Sequence, residues 1–593
     1  MTTEQTILLT ILLALLVFLI WGRWRYDIVA LAALFSAGLF GVVPQSSLFS
    51  GFGNPATITV VLVLIVSFGL TKSGAVEFLA DFIAPLGDKP VLHISALSFL
   101  AAFLSMFMNN VGALALLMPI AIQSTSGVGR APATVLMPLS FASILGGLVT
   151  LIGTPPNILI ASYREQMTGE SFLMFDFAPV GGGIAFCGII FMLLFGWKLV
   201  KVRKKSAGLE LFDVEKYLFE LKVTSESDLA GRTVQVVNKD LVNNKIGLLS
   251  IIHKGKPFSN VYYFRGHELG NNDLLIVQGS HDDVDAYATM NKLDMVSAEN
   301  ARKEILHSED SRISEIVVTP QSMVVGRRPT EIRFNRRYGV NLLAASRSGA
   351  RHQGSLRNFK FDTGDVLLIH GGEDELHDAI TKLNCYPLAA RDLEIKRSEK
   401  SKWALIIFLS AIIASSSGAV SIQLALGMAA VGMALLNIVP VREFYEGVDW
   451  PIVILLGAMI PIGQALETTG TTTLLVEGIL LVGRGLSPVM ILALLLVVTM
   501  TVSDVLNNTA TAILMAPIAF NIAQSLELNS DAFLMAVAVG ASCAFLTPIG
   551  HQNNALIMGP GGYKFGDYWR MGLPLEFVIV VVALPLILIF WPI

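Results

Sequence analysis

Two apolar stretches of this chain carry the same pair of amides: MFMNNVGALALLMPIAI at residues 106–122 and DVLNNTATAILMAPIAF at residues 504–520. Asn109 and Asn110 correspond to Asn507 and Asn508, Ser105 to Ser503 and Pro119 to Pro517, with a constant separation of 398 residues (507 − 109 = 398). Lipid offers an amide no hydrogen bond, and an unsatisfied polar group in hydrocarbon costs on the order of several kcal/mol. Matching polar interruptions in two apolar stretches therefore suggest one binding site built from two related halves.

Composition sets the environment. Of 593 residues, 53% are hydrophobic and 15% charged, with a mean hydropathy of +0.64, far more apolar surface than a soluble core of ordinary size absorbs. The chain reads as a polytopic α-helical membrane protein. Charge concentrates between residues 203 and 400, so a polar insert divides a membrane domain. The expected units are a first membrane repeat (1–202), two insert modules (203–300 and 301–398) and a second membrane repeat (399–593). A net charge of −4 gives no basic excess for nucleic acid, and Cys187, Cys385 and Cys543 are too scattered for a disulfide framework or a zinc site. The apolar run at 7–20 lacks a basic leader and a small-residue cleavage site, so it reads as a retained helix.

Hydropathy predicts spans near 7–22, 27–43, 56–72, 133–162 and 179–200, close to the ~20 residues needed to cross a bilayer. Residues 90–124 carry Asn109, Asn110 and Pro119 in their middle and read as a re-entrant helical hairpin. The fourth of these spans is broken at Gly153, Thr154, Pro155, Pro156 and Asn157, because consecutive prolines remove donors and stop a helix. The second half repeats the order, with spans near 402–417, 419–438, 450–467, 531–560 and 572–592 and a hairpin at 486–525. Pro55 with Pro451, Gly74 with Gly470, Thr150 with Thr547 and Gly153 with Gly550 keep the register. Five crossings per half is an odd number, which predicts an inverted repeat.

Basic residues favour the cytoplasmic side of short loops. Arg23, Arg25, Lys89, Arg130, Lys201, Arg203, Lys204, Lys205, Lys396, Arg397, Lys400, Lys402, Arg442, Lys564 and Arg570 share one side if both termini lie outside; Arg164 and Arg484 are the minority. The expected setting is a bacterial inner membrane with the insert in the cytoplasm.

Within the insert, Val223, Ser227, Gly231, Gly255, Asp273 and Gly279 align with Val318, Ser322, Gly326, Gly349, Asp365 and Gly371. Runs such as LLSIIHKG, DLLIVQGS, VNLLAASRSG and DVLLIHGG predict two small α+β modules. Their pattern, clearest in the second copy, resembles the TrkA-C domain of bacterial potassium-uptake regulators. That resemblance implies a homodimer and a regulatory nucleotide or cyclic dinucleotide at the dimer groove. No GxGxxG loop accompanies it.

The chemistry gathers at the two hairpin tips and the two breaks. An unwound segment frees carbonyls for a cation and aims helix N-termini at an anion. Ser105, Asn109, Asn110, Ser503, Asn507 and Asn508 supply the tips; Gly153, Thr154 and Asn157, and then Gly550, His551, Gln552, Asn553 and Asn554, supply the breaks. This oxygen-rich set suits a hard cation such as sodium. Asp504, ionisable at membrane depth, is a further cation or proton candidate.

These motifs resemble the divalent-anion sodium symporter family, which has a Ser-Asn-Thr tip in each hairpin, a Ser four residues earlier and a Gly-Thr-Pro-Pro-Asn type break in each half. Here NNV stands at 109–111, NNT at 507–509, GTPPN at 153–157 and GHQNN at 550–554. The resemblance implies two or more sodium ions, held at Ser105, Asn109, Asn110 and Gly153 and at Ser503, Asn507, Asn508 and Gly550. It further implies anion contacts from Asn109, Asn110, Asn157, Asn508, Thr509, His551 and Asn554, and an elevator-type movement. Val111 lacks the hydroxyl that carboxylate-transporting relatives use, so sulfate or a related inorganic oxyanion ranks above a di- or tricarboxylate. A cation channel or transporter gated by the insert is the expectation of another class, opposed by the lack of a TVGYG filter. A membrane sensor finds no kinase, cyclase or DNA-binding signature, and no P-loop points to ATP-driven transport.

Overall fold

A computed structural model describes residues 1–21, 24–74, 90–126, 130–200, 218–244, 246–253, 256–258, 266–278, 281–296, 312–320, 322–347, 350–351, 356, 359–388, 399–474 and 486–593. Of the residues singled out above, Arg23, Lys89, Lys201, Arg203, Lys204, Lys205, Gly255, Gly279, Gly349, Lys396, Arg397 and Arg484 lie outside these.

Helices dominate both ends of the chain, as a polytopic membrane protein requires. Among the described residues, four helical stretches are long and apolar enough to cross a bilayer: Gln45–Lys72, Ala178–Leu199, Trp450–Thr468 and Trp569–Phe590. In the last, Leu573, Phe577, Val581 and Ile589 are exposed at helical spacing and form an outward apolar stripe. Other apolar helices are shorter; Tyr26–Leu39 has 14 residues, roughly 21 Å at 1.5 Å per residue. The run at 179–200 is not one α-helix, since a π-helical turn at Met192–Gly196 follows Ala178–Phe191.

Local chemistry explains the helix starts. Asn54 accepts from the Ala56 N–H and Pro55 opens the helix Pro55–Lys72; Ser421, Ser487 and Asn529 cap later helices in the same way. Residues 90–124 form two arms, Pro90–Ser105 and Asn110–Ser126, and 486–525 form Pro488–Ser503 and Asn508–Ser525. The long runs at 133–162 and 531–560 are interrupted helices. Ala133–Gly146 and Pro155–Thr168 flank one break, and Ser530–Ser542 and Gln552–Met558 flank the other. Each hairpin's first arm packs on the helix before a break: Pro90–Ser105 on Ala133–Gly146, and Pro488–Ser503 on Ser530–Ser542.

The insert holds two five-stranded antiparallel sheets. The first contains β1 (Leu218–Val223), β2 (Gly247–His253), β3 (Lys256–Phe258), β4 (Leu274–Gln278) and β5 (Leu293–Val296) in the order 3-2-4-1-5. The second contains β6 (Arg312–Val318), β7 (Asn341–Arg347), β8 (Ala350–Arg351), β9 (Val366–Gly371) and β10 (Cys385–Pro387) in the order 10-6-9-7-8. Read from the other edge, the second order is the first, and β2 and β7 each carry a register shift, at 248/250 and 342/344. Gly231 and Gly326 both take positive φ, at 78° and 77°, and Ser227 and Ser322 both donate to a backbone carbonyl more than 60 residues ahead.

Glu315 on β6 is 9% exposed, and burial pushes its carboxyl up to about 7. A raised acid pKa means the folded state keeps a proton that the unfolded chain has released. Its penalty is absent below the ordinary value of 4.5 and is fully developed once pH has risen past about 7. On the same sheet burial lowers His370 to about 4, the opposite direction, so a variant at 315 isolates one group. Glu315→Gln is expected to stabilise this sheet by about 3 kcal/mol at pH 8 and scarcely at pH 4. Hydrogen exchange of the β6 and β9 amides in the full chain checks this; equal protection gains at pH 5 and pH 8 would refute it.

Candidate functional site

Each hairpin turns through a short segment, 106–109 or 504–507, and restarts as a helix at Asn110 or Asn508. The first asparagine of each pair is the cap: Asn109 Oδ1 accepts from the Val111 N–H at 3.1 Å and Asn507 Oδ1 from the Thr509 N–H at 2.9 Å. The second lies against the serine that ends the incoming arm, with Ser105 Oγ 2.6 Å from Asn110 Oδ1 and Ser503 Oγ 2.9 Å from Asn508 Oδ1. Ser503 also donates to the Ala541 carbonyl at 2.6 Å. Both restarted helices point the positive ends of their dipoles into the tips.

The breaks lock onto these tips through three positions. The Thr150 hydroxyl donates to the Met106 carbonyl, and Thr547 Oγ1 donates to the Asp504 carbonyl at 2.6 Å. Gly153 and Gly550 are glycines because there is no room beside them. A Cβ on Gly153 would stand 2.5 Å from the Gly147 carbonyl oxygen, and one on Gly550 would stand 2.8 Å from that of Ser503. The third position departs from the sequence expectation that Asn157 and Asn554 face an anion. Asn157 Nδ2 donates to the carbonyls of Thr150 (2.9 Å) and Gly147 (3.4 Å), and Asn554 Nδ2 to those of Thr547 (3.1 Å) and Ala544 (3.0 Å). Both side chains are fully buried. In the structure they staple carbonyls that the broken helices leave without partners.

The second break also binds the first half. His551 Nδ1 accepts from the Asn553 N–H at 3.1 Å, capping the helix Gln552–Met558, and Nε2 lies 3.2 Å from the Asn110 amide. The Asn110 atom facing Nε2 is Nδ2, while its Oδ1 faces Ser105. Asn553 Nδ2 reaches Ser143 Oγ (2.7 Å) and the Asn110 carbonyl (3.2 Å), and Ser140 donates to Asn554 Oδ1 at 3.0 Å. Beyond the break, Tyr568 OH donates to the Asn554 carbonyl at 2.6 Å. His551 thus lies buried between a cap and a tip.

A cavity of about 2030 Å³ opens on both tips. Asn109, Val111 and Gly112 line it from one hairpin, Leu506 and Asn507 from the other, and Ile549 and Gln552 from the second break. Asn109, Asn507 and Gln552 are half-buried there. Gln552 belongs among the cavity-lining groups, and its one sequence signal is its place beside His551 in the irregular break. Asp504 does not line the cavity. It is 3% exposed, its Oδ1 accepts from the Leu546 N–H at 2.9 Å, and it neighbours Glu576, itself 9% exposed on the last helix. A second buried carboxyl beside Asp504 was not visible in the spacing, because 72 residues separate the two (576 − 504 = 72).

The sequence that builds these hairpins and interrupted helices matches known transporters. Residues 16–528 and 478–593 match the family described as citrate transporter. The chain belongs to the citrate transporter family. An uncharacterized transporter of Synechocystis is 30% identical over 93% of this chain and 91% of its own length. The uncharacterized transporter YfbS of Escherichia coli is 27% identical over the whole of both chains. Sodium/sulfate cotransporter 2 of Chlamydomonas reinhardtii is 26% identical over 55% of this chain and 38% of its own. This citrate transporter family member is accordingly a multi-pass membrane transporter and not an enzyme.

The staples generate a stability prediction. Asn157→Ala and Asn554→Ala each leave two break carbonyls without a donor, at roughly 1–3 kcal/mol per buried group. Both are expected to lower the thermal midpoint of the detergent-solubilised protein clearly, while Ile549→Ala, at an exposed position on the cavity wall, leaves it nearly unchanged. Equal midpoints for all three variants would contradict the staple role.

Proposed function

We propose that the chain is a sodium-coupled secondary transporter of a small divalent oxyanion, sulfate before others. The observation that carries this is the single cavity onto which both asparagine-capped tips open. Helix N-termini and tip amides suit an anion, and tip and break oxygens suit a hard cation that offsets its charge. In this reading sodium takes oxygens from Ser105, Asn109, Asn110 and the Gly153 segment, and from Ser503, Asn507, Asn508 and the Gly550 segment. The anion meets Asn109, Asn110, Asn508 and Thr509, with His551 holding Asn110 in place. Asn157 and Asn554 act one step back, by shaping the carbonyls. The name of the Chlamydomonas relative supports sodium and sulfate.

The wider architecture of the proposal is an inverted repeat of five spans and one re-entrant hairpin per half, moving as an elevator within a homodimer. The two insert modules are read as cytoplasmic TrkA-C-like regulators. A contact supports that regulatory part: the turn at 362–365 of the second module touches the second break, where a Cβ on Gly364 would lie 2.4 Å from the Ala555 carbonyl oxygen. Arg347, Lys360 and His377 of that module line the same cavity as the tips. A ligand that shifts this module would therefore act on the helix that starts at Gln552.

Two observations favour a second reading. The family description names citrate, and the buried Asp504–Glu576 pair suits a proton as coupling ion. One set of uptake measurements decides. In proteoliposomes an inward sodium gradient is expected to drive accumulation of radiolabelled sulfate, and Asn508→Ala to reduce it ~10-fold or more, the loss expected for one hydrogen bond to a charged group. Uptake of citrate but not sulfate would replace the substrate; uptake driven by a pH gradient and indifferent to sodium would replace the coupling ion.

A further inference from the structure

Away from the cavity, the first sheet module gathers three metal-ligating side chains. His253 ends β2, Asp273 immediately precedes β4, and His267 lies on the segment leading to it. One donor atom from each lies within 4.8 Å of the others. His253 Nδ1 is 2.8 Å from Asp273 Oδ1, and the two imidazoles meet edge to face with centroids 4.4 Å apart. Their supports are fixed by the backbone: the Gly270 N–H donates to Asp273 Oδ2 at 2.8 Å, the Val223 N–H to the Asp273 carbonyl at 2.8 Å, and the Val234 N–H to the His267 carbonyl at 2.8 Å.

The second module supplies an internal control. Ile252 pairs with Leu274 and Ser346 with Val366, so His253 and Asp273 occupy the register of Arg347 and Asp365. The Gly231 N–H donates to the Leu269 carbonyl and the Gly326 N–H to that of Phe361, which puts His267 in the place of Phe359, two residues before each. There the three positions form a structural clasp. Arg347 grips both oxygens of Asp365 at 2.7 Å and lies over the Phe359 ring at 5.0 Å. The turn amide is the same, with the Asp362 N–H donating to Asp365 Oδ2 at 2.7 Å.

A need for fold support alone is met by arginine, phenylalanine and aspartate. In the first module the fork becomes an imidazole and the apolar lid becomes a second imidazole, so every member of the clasp is a ligand. We infer that His253, His267 and Asp273 bind a divalent transition metal of the zinc, cobalt or nickel class. Two imidazoles and one carboxylate are the donor set such ions take, and three protein ligands leave a fourth position to water or a small ligand. Bonds of ~2.0–2.2 Å set the donors ~3.5 Å from one another, so the ion would replace the 2.8 Å His253–Asp273 contact by opening that pair slightly and drawing the wider pairs in, a rotamer-scale adjustment. The Gly270 amide then orients the carboxylate from outside the coordination sphere. The ion would tie β2, β4 and the segment paired with Thr233 into one unit.

The test uses the full chain in detergent, freed of any polyhistidine tag and stripped with chelator. Titration with Co²⁺ is expected to give one tetrahedral visible absorption band per chain, saturating at micromolar metal, and Zn²⁺ to displace it. His253→Arg combined with His267→Phe installs the clasp of the second module and should fold while losing the band. His267→Ala, tested separately, should weaken it. Absence of a band in the wild type overturns the inference, and so does an unchanged band in the double variant, which would place the metal elsewhere. Native mass spectrometry of both proteins at equimolar Zn²⁺ provides a second readout: one ion retained by the wild type and none by the double variant, with equal retention counting against the site.

Discussion

Everything at the centre of this protein depends on satisfying backbone carbonyls where helices stop inside an apolar domain. A break at membrane depth is useful because it exposes oxygens and helix dipoles, and expensive for the same reason. The structure meets the expense with one device used at both breaks. A threonine hydroxyl takes the carbonyl of the adjacent tip, and an asparagine seven residues later takes the carbonyls of its own break. A glycine between them lets the backbones approach. The cavity wall beside these staples carries Asn109, Asn507 and Gln552.

The two halves are alike in these bonds and unlike in one region. Where the first break has Thr154, Pro155 and Pro156, the second has His551, Gln552 and Asn553. The prolines open the helix Pro155–Thr168, in whose first turn a missing donor costs nothing. The polar replacements do so by capping, and they then have hydrogen-bonding capacity left, which His551 and Asn553 direct to Asn110 and Ser143 of the first half. The second break therefore roofs the first tip, and its Gln552–Met558 helix is touched by the turn at Gly364 of the second module. Asymmetry in three residues is enough to connect a tip, a break and the insert in one physical chain.

Much of this was legible in the residues. Amides, prolines and glycines interrupting apolar runs mark where helices must stop, since each removes a backbone donor or demands one, and the hairpin arms and interrupted helices lie at the residues so marked. What spacing does not reveal is the partner of each polar group. Asn157 and Asn554 look like ligands beside the tip asparagines because all of them are buried amides in broken helices. Only the packing shows that the former face their own carbonyls while Asn109 and Asn507 face the cavity. The neighbour of Asp504 was hidden in the same way, lying 72 residues further on in a helix that is apolar apart from Arg570 and Glu576.

The sequence by itself determined that the chain is a membrane protein with a polar insert, where its helices break and which residue types surround the breaks, because hydropathy and backbone donor chemistry are local. Tertiary structure decided which of those groups are buried against backbone carbonyls and which line the cavity. It also decided that the first sheet module brings two histidines and an aspartate together where the second places an arginine clasp. Hydrogen-bond satisfaction and ligand geometry are properties of groups distant in the chain, and only the packed fold brings them within reach.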